Sequence, residues 1–484
     1  MTGSRGESPQ FLLLVAVFVG ALDQTVVAAL LPAVVRDLSV PFDRLDQAAW
    51  AVTLYLAAYA AVVPFAGRLI DAGAHSVVLL SGLGVFAAGS ILCARADTLE
   101  LLVAGRVVQA LGAGVLLPVA LHRAGHGDPY RRLVRVGVVA AVAEAGAVCG
   151  PIYGAGALAL LDWRWAFWFN LPVVAFVALA VVAASTDRLR LPRVPWSALF
   201  PPVAVGLALG VAVAGISREV ARTAAWLPPA CAVAASALLL WVVRIEYRRR
   251  PPSALARLGR LAGFWVLLGL HLLLGVALVT PLVLVPVWAS TLLALDPPGA
   301  AQVLLWLTLA IPPTALLGAA AAARVGRRAT AALGFGLVAA GLYGMGGWPA
   351  TSTLPEMTPS LIIAGLGFGL VIAPLTDLVF GFADLPAVGS AIGLATAARV
   401  VGMAIGLAAL TRWGINQLTA RLADLPPPSF TGGIAAFGAL AEYQRAVSAI
   451  GADIFGALFR AGAICAALAA IGLLAVREPV AVND

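Results

Sequence analysis

Four ionisable residues lie in the middle of long apolar stretches of this sequence, where charge is costly. Asp23, Glu144, His271 and Arg399 each lie roughly nine to twelve residues into such a stretch, which at about 1.5 Å per residue places them near the midplane of a membrane. A charge at the centre of a spanning helix costs about 2.5–3.5 kcal/mol on insertion scales, so such residues commonly serve ion or proton pathways. Because a carboxylate can take up and release a proton, the sequence predicts proton chemistry within a membrane.

Arg106 adds another charge, in the stretch before that of Glu144. Counting along the two stretches places Arg106 and Glu144 within about one helical turn of the same depth, so we expect them to form a pair. This pair is either a proton-coupling site or a fixed ion pair that joins two helices. Asp23 has no obvious partner, and beside Gln24 and Thr25 it is expected to lie in a water-lined pocket, as a proton carrier or a structural acid.

A substrate cavity is predicted around Asp23, Gln24, His271 and Arg399. His271 could relay protons, although a lone histidine on an apolar helix is more often a hydrogen-bonded packing residue. Arg399 needs a carboxylate or helix-end carbonyl groups as its partner. Asp377 is a doubtful partner, because it is predicted to lie nearer the cytoplasmic end of its helix than Arg399 does.

Glycine and proline mark a smooth helix face. Gly146, Gly150 and Gly154 stand four residues apart, and Pro151 interrupts the hydrogen-bonding pattern between the last two. Such a face serves either as a tight static contact between helices or as a hinge across which two helix bundles rock.

The histidine and cysteine patterns do not predict a metal site. His122 and His126 are four residues apart, but Gly125 and Gly127 break the helix that this spacing would need. The four cysteines occur singly. Since a nucleotide-binding loop and a nucleophile constellation are also missing, we expect no metal, no cofactor and no enzymatic activity.

The elements that position these residues belong to a chain suited to lipid. Of 484 residues, 62% are hydrophobic and 11% are charged, against about 25% charged in soluble domains. At about 20 residues per span, about fourteen apolar stretches could cross a membrane. The sequence therefore predicts an all-α polytopic membrane protein and argues against soluble enzymes and nucleic-acid binding. The stretches lie near 11–35, 46–66, 76–94, 99–121, 133–158, 165–185, 196–215, 226–245, 262–290, 299–322, 329–348, 358–380, 387–412 and 451–475.

All 31 basic residues are arginine, and their positions predict the orientation. With the N-terminus in the cytoplasm, the inner loops hold roughly twice as many arginines as the outer loops, as the positive-inside rule requires. We therefore expect a bacterial cytoplasmic membrane protein with both termini in the cytoplasm. The long outer segment 414–450 is expected to lie along the membrane surface.

Several of these motifs resemble those of the major facilitator superfamily, in particular its fourteen-helix drug:proton antiporter branch. The resemblance covers nearly the whole chain, and Arg106 matches the arginine that the family links to proton translocation. The motifs are LDQTVVAALLPAVVRDL (Leu22–Leu38), GRVVQALGAGVLLP (Gly105–Pro118), GAVCGPIYGA (Gly146–Ala155), DWRWAFWFNLPV (Asp162–Val173) and the run containing Arg399.

The loop GRLIDAGAHS (Gly67–Ser76) matches the superfamily's cytoplasmic gate pattern in part. Gly67 and Asp71 are kept and are expected to form the gate. Ala72, Ala74 and His75 stand where a basic residue, a glycine and another basic residue are usual, so the sequence lacks three residues of that pattern.

The resemblance implies two six-helix bundles, at 11–185 and 262–475, with two inserted helices in 196–246. They would rock around a midplane site, driven by protons, each of which releases about 2.3 kcal/mol per 100 mV. Asp23, Glu144 and Arg106 would couple transport to protons.

The predicted function is proton-coupled export of hydrophobic or cationic small molecules such as drugs. The alternatives are export or flipping of a lipid or of a self-made antibiotic, and a non-transporting membrane scaffold or sensor. The expected partners are a hydrophobic small molecule, protons and membrane lipids, with no nucleic acid, and we expect the protein to act as a monomer.

Overall fold

The computed structural model describes residues 8–41, 45–184, 194–216, 226–249, 253–383, 387–426 and 433–476, and every regular element within these ranges is a helix. The predicted all-α fold is therefore confirmed. In chain order the helices are α1 (Ser8–Asp37), α2 (Leu45–Ala48), α3 (Trp50–Asp71), α4 (His75–Ala94), α5 (Leu99–Ala113), α6 (Leu116–Ala124), α7 (Pro129–Leu160), α8 (Trp165–Trp168), α9 (Asn170–Ala184), α10 (Trp196–Ile216), α11 (Leu227–Arg248), α12 (Ala254–Gly259), α13 (Ala262–Leu292), α14 (Pro297–Val325), α15 (Arg327–Met345), α16 (Leu354–Phe382), α17 (Val388–Ala423), α18 (Gly433–Gly472) and a short 3₁₀ helix (Leu473–Ala475).

Twelve described helical segments are long and apolar enough to cross a membrane, and α1 makes a thirteenth if its two parts form one span. The parts of α1 are bent by 56° between Val27 and Ala29. Pro32 explains this bend, because a proline ring clashes with the carbonyl group four residues earlier. The remaining predicted stretch is the 19-residue α15, which begins at Arg327. All fourteen predicted stretches thus contain helix, while twelve or thirteen meet the criteria for a span.

The N-terminal helices α1–α9 and the C-terminal helices α13–α18 meet along two seams. At one seam α3 packs on α17, and at the other α7 packs on α14 and α16. Between the two halves in sequence, α10 packs on α3 and α11. Only 11% of the most apolar part of α11 is buried, so this helix lies on the outside of the helix assembly.

We call the end of the helices where α3 ends and α17 begins the Asp71 end, and the other the far end. At the far end α17 and α18 are 36 and 40 residues long, about 54 and 60 Å, which exceeds the roughly 30 Å of the hydrocarbon core. Arg421 and Asp453 form an ion pair of 3.5 Å between the two helices. The described residues of the segment 414–450, which is predicted to lie along the membrane surface, belong mostly to the ends of these two helices. Pro427 and Pro428 lie outside the described residues.

Candidate functional site

Asp23 and Arg106 form a buried ion pair. Arg106 Nη1 donates to Asp23 Oδ2 at 2.5 Å, and Nη2 donates to the Asp23 carbonyl oxygen at 3.2 Å. The exposed fractions of the two side chains are 0% and 1%. The predicted pairing of Arg106 with Glu144 is therefore wrong, as is the expectation that Asp23 lacks a close partner. Equal depth on two helices does not establish that the side chains face each other, and α1 brings Asp23 to Arg106 instead.

Two amide side chains complete the hydrogen bonding of Asp23. Gln109 Nε2 and Asn170 Nδ2 each donate to Asp23 Oδ1 at 3.0 Å, and Gln109 Nε2 also donates to Ser90 Oγ at 2.9 Å. We call Asp23, Ser90, Arg106, Gln109 and Asn170 the Asp23 cluster. Ser90, Gln109 and Asn170 are not predicted from the sequence, although Gln109 follows Arg106 by three residues and Asn170 lies in the motif Asp162–Val173.

The Asp23 cluster lies entirely within the N-terminal half. Its residues come from α1, α4, α5 and α9, and the Arg106 guanidinium lies 4.1 Å from the ring centroid of Tyr55 on α3. A carboxylate that accepts charge-assisted and amide hydrogen bonds in a dry site is held firmly in one position. The geometry therefore favours a fixed, fully bonded acid at Asp23.

Glu144 has a different partner and a different setting. Arg399 Nη2 donates to Glu144 Oε1 at 2.6 Å, which joins α7 of the N-terminal half to α17 of the C-terminal half. The exposed fractions of the side chains are 8% for Glu144 and 22% for Arg399. Among the described side chains, Arg399 alone donates a hydrogen bond to Glu144. This ion pair can respond both to protonation and to relative movement of the halves.

The other predicted cavity residues are more dispersed. His271 is buried on α13, and its Nδ1 lies 2.9 Å from the carbonyl oxygen of Leu267 one turn earlier, as in a packing histidine. Gln24 is half-buried on α1. Asp23 and Arg399 belong to separate ion pairs, so the structure does not bring them together at one charged site.

The glycine face of α7 packs against α1. A Cβ atom at Gly146 would collide with the Phe18 carbonyl oxygen, and one at Gly154 would lie 3.2 Å from Val26 and Ala29. Thr25 Oγ1 donates to the Ala147 carbonyl oxygen at 2.8 Å across the same contact. Because α1 and α7 both belong to the N-terminal half, this arrangement favours a tight contact between helices over a surface between the two halves.

At the Asp71 end, Asp71 connects α3 to the first turn of α17. Its carboxylate accepts hydrogen bonds from the backbone N–H groups of Gly389 and Ser390 at 2.5 and 2.9 Å, and from Ser390 Oγ at 2.5 Å. Unpaired N–H groups at a helix N-terminus attract a carboxylate in this way. Gly67 allows the approach, because a Cβ atom there would collide with the backbone of Gly389. The contact forms although Ala74 and His75 depart from the family pattern.

Asp377 provides a second connection at the Asp71 end. It accepts hydrogen bonds from Arg132 Nε on α7 at 2.8 Å and from Arg327 Nη1 on α15 at 3.1 Å. The Arg132 guanidinium also lies 5.5 Å from the ring centroid of Phe380. Among the described residues, this contact and Asp71–Ser390 join the two halves at the Asp71 end and close it. Glu144–Arg399 joins the halves farther along the helices.

Comparison with known proteins agrees with this architecture. The sequence profile of the Major Facilitator Superfamily matches residues 13–407. A triacylglyceride transporter of Mycolicibacterium hassiacum is 34% identical, over 86% of this chain and 82% of the relative. A triacylglyceride transporter of Mycobacterium tuberculosis strain H37Rv is also 34% identical, over 95% of this chain and 92% of the relative.

Two solved structures share the fold at low sequence identity. A proton:xylose symporter has a TM-score of 0.63 at 12% identity, over 94% of both chains. A human organic anion transporter has a TM-score of 0.58 at 15% identity, over 95% of this chain and 99% of the other.

Proposed function

Since this chain belongs to the major facilitator superfamily and is a multi-pass membrane transporter, we propose that it exports a lipid. The proposed lipid is neutral and strongly apolar, of the triacylglyceride class. We favour lipid export over drug export because the curated relatives at 34% identity are named triacylglyceride transporters. As in those relatives, the activity is transport and not catalysis.

We propose a neutral cargo because Asp23 and Glu144, the two acids predicted near the membrane midplane, are each paired with an arginine. Asp23 is bound to Arg106, and Glu144 is bound to Arg399, so each described midplane acid is compensated by an arginine. A site that holds a lipophilic cation needs an uncompensated negative charge or an aromatic cage. An apolar molecule without charge needs neither, since its transfer is governed by the apolar surface that it buries.

Protons drive this export, and Glu144 is the acid that couples them. Protonation of Glu144 removes its charge and weakens the ion pair to Arg399 across the two halves. Asp23 and Arg106 keep the Asp23 cluster intact during the cycle, because its hydrogen bonds all lie within one half. Proton uptake at Glu144 would thus be linked directly to separation of α7 from α17.

The Asp71 end faces the cytoplasm of a bacterium. Arginines concentrate at this end, as expected for cytoplasmic loops under the positive-inside rule. The described examples are Arg68, Arg123, Arg131, Arg132, Arg135, Arg324, Arg327 and Arg328. The N-terminal and C-terminal halves then act as two bundles that rock about the seams, as alternating access requires.

The experiment that tests the cargo is transport by the full-length protein in proteoliposomes with an imposed proton gradient. We expect transfer of a fluorescent triacylglyceride, no accumulation of a lipophilic fluorescent cation, and loss of lipid transfer when a protonophore is added. Uptake of the cation alone would overturn the lipid assignment in favour of drug export. Transfer of neither probe by protein that is folded and oriented would support the scaffold or sensor alternative.

A further inference from the structure

A concentration of positive charge lies on the chain that leads from α11 through α12 towards α13. The described residues of 244–260 hold five arginines and one carboxylate, which belongs to Glu246. We call the described residues of 244–260 the basic connection. Its arginines are Arg244, Arg248, Arg249, Arg257 and Arg260.

The basic connection lies at the Asp71 end of the helices. Gly206 of α10 packs against Ala61 of α3. One turn later in α10, Gly210 packs against Ala57, which is one turn earlier in α3. The two helices are therefore antiparallel, so α10 begins near the place where α3 ends. Arg249 Nη1 donates to a carbonyl oxygen in the first turn of α10 at 2.8 Å, which fixes the basic connection at this end.

The carboxylate of Glu246 is used within the basic connection. This buried group accepts hydrogen bonds from Ser253 Oγ and, at 3.5 Å, from Arg249 Nη1. Ser253 Oγ in turn accepts a hydrogen bond from the Ala256 N–H group at 3.1 Å, in the first turn of α12. Glu246 thus joins the end of α11 to the start of α12, and it is bound to Arg249 rather than to the other arginines.

Arg244 and Arg248 are not held by other protein groups. Both residues are exposed, and neither side chain forms an ion pair or a hydrogen bond within the part of the chain that the structure describes. Because they stand four residues apart on a helix, they lie on one face of α11. Two guanidinium groups whose N–H donors are not bound to protein therefore lie side by side on the outer surface.

An aromatic pair lies next to these two arginines. Trp241 precedes Arg244 by three residues, which places it on the same face of α11. Its ring meets that of Phe200 on α10 edge to face, with the ring centroids 4.6 Å apart, and both side chains are exposed. Tryptophan is enriched where the hydrocarbon of a bilayer meets the headgroups. The aromatic pair therefore marks this boundary on α11.

On the hydrocarbon side of Trp241, α11 presents apolar side chains to the outside of the helix assembly. Val233 and Leu240 are 68% and 69% exposed. A ligand on this face therefore meets guanidinium groups at one level and apolar side chains at the next. A phospholipid carries a phosphate and acyl chains at these two levels, whereas inorganic phosphate would leave the apolar level unused.

The charge of the ligand follows from the two arginines. A guanidinium group binds phosphate oxygens through its planar set of N–H donors. A lipid of net negative charge is attracted by both Arg244 and Arg248. A zwitterionic lipid also brings an ammonium group, which the same arginines repel. This face of α11 therefore favours an anionic phospholipid over a zwitterionic one.

We propose that Arg244, Arg248 and Trp241 form a binding site for one anionic phospholipid of the surrounding bilayer. The lipid phosphate binds the two guanidinium groups, and the acyl chains lie along α11 on the hydrocarbon side of Trp241. A bound lipid holds the basic connection against the bilayer surface, and with it α12, which packs on α13 and α17 of the C-terminal half. The inference depends neither on the cargo nor on the role of Glu144.

Native mass spectrometry of the full-length protein in detergent tests the proposal. The protein is titrated with phosphatidylglycerol, or with phosphatidylcholine of the same acyl chains, in the absence of any cargo. The test variant is Arg244→Gln/Arg248→Gln, which removes both charges of the site. The matched control is Arg131→Gln/Arg324→Gln, because these exposed arginines lie at the same end, on α7 and α14. All four residues are exposed, so the three proteins should melt at the same temperature without added lipid.

We expect wild type and the control variant to bind the first phosphatidylglycerol with equal affinity, and the test variant to bind it severalfold more weakly. Phosphatidylcholine should bind weakly and equally to all three proteins. An equal loss in both variants would overturn the proposal, since the attraction would then come from the overall positive charge of this end. Wild-type affinity in the test variant would also overturn it, as would equal binding of the two lipids by wild type. Because the titration contains no triacylglyceride, failure of the lipid-export assignment would leave these outcomes unaffected.

Discussion

Glu144 on α7 and Arg399 on α17 form an ion pair across the two halves of the chain, with Arg399 Nη2 2.6 Å from Glu144 Oε1. Asp23 and Arg106 form a comparable pair at 2.5 Å, but both residues lie in the N-terminal half and are almost inaccessible. A proton on Glu144 therefore changes a contact between the halves, whereas a proton on Asp23 would disrupt the interior of one half. For this reason we propose Glu144 as the coupling acid and Asp23 as a structural acid.

Exchanging the charges of Glu144 and Arg399 should restore the ion pair between the two halves, but not the coupling of transport to protons. Glu144→Arg alone places two arginines together, and Arg399→Glu alone places two carboxylates together, so each should lower the melting temperature in detergent. The double variant Glu144→Arg/Arg399→Glu should recover most of the loss, because the opposite charges meet again. The exposed Asp453→Asn variant serves as the control. If the double variant is no more stable than the worse single variant, the two side chains do not interact in the membrane-embedded protein.

Loss of the Asp23 carboxylate should mainly destabilise the protein. Asp23→Asn would leave Arg106 buried without its counter-charge, and breaking a buried pair in this way typically costs about 3–5 kcal/mol. Asn170→Ala removes one amide donor from Asp23 and should cost less, about 1–2 kcal/mol. Thermal unfolding in detergent measures both. An Asp23→Asn protein that melts like wild type but no longer couples transport to protons would instead identify Asp23 as the proton carrier.

Removal of the Asp71 charge should open the Asp71 end. Asp71→Asn weakens the bonds to Gly389 and Ser390, because a neutral amide interacts less strongly with a helix N-terminus. We expect a cysteine placed at the buried Ala391, in a background without the native cysteines, to react with maleimide severalfold faster in this variant. Glu100→Gln, an exposed acid at the far end, is the control. Unchanged reactivity would show that Asp71 does not hold this end closed.

The contact between α1 and α7 should tolerate no side chain at Gly150. A Cβ atom there would collide with Thr25 Oγ1 and lie 2.7 Å from the Leu22 carbonyl oxygen. Gly150→Ala should therefore lower stability by about 1–3 kcal/mol, the usual cost of overpacking. Gly156 on the same helix has nothing within 4 Å of such an atom, so Gly156→Ala is the matched control and should behave like wild type. Equal melting temperatures for the two variants would contradict the tight contact.

The fold could be predicted from the sequence because lipid imposes a simple requirement on each span. A helix that satisfies its own backbone needs only length and apolar composition, and both can be counted. Every predicted stretch proved to contain helix, including the less apolar α15. The lengths of α17 and α18 could not be predicted, because the segment 414–450 is expected to be a separate surface-lying run whereas the two helices continue into it.

Individual ionisable residues could be selected from the sequence, but their partners could not. Depth along a helix follows from counting residues, whereas the direction of a side chain depends on how helices rotate and cross. For this reason the sequence predicts a pair of Arg106 and Glu144, although α1 brings Asp23 to Arg106 and α17 brings Arg399 to Glu144. The meeting of His75 with His122 was missed for the same reason, because the two residues lie on different helices.

Proton-driven lipid transport by wild type and by Glu144→Gln, side by side in proteoliposomes, tests the central claim most directly. With equal amounts of folded, oriented protein, an inward proton gradient should drive transfer of fluorescent triacylglyceride by wild type. Glu144→Gln should reduce the gradient-dependent part at least tenfold, because glutamine cannot carry the proton that weakens the contact to Arg399. Gradient-driven transfer by Glu144→Gln at the wild-type rate would contradict the account, since another group would then have to couple proton movement to the two halves.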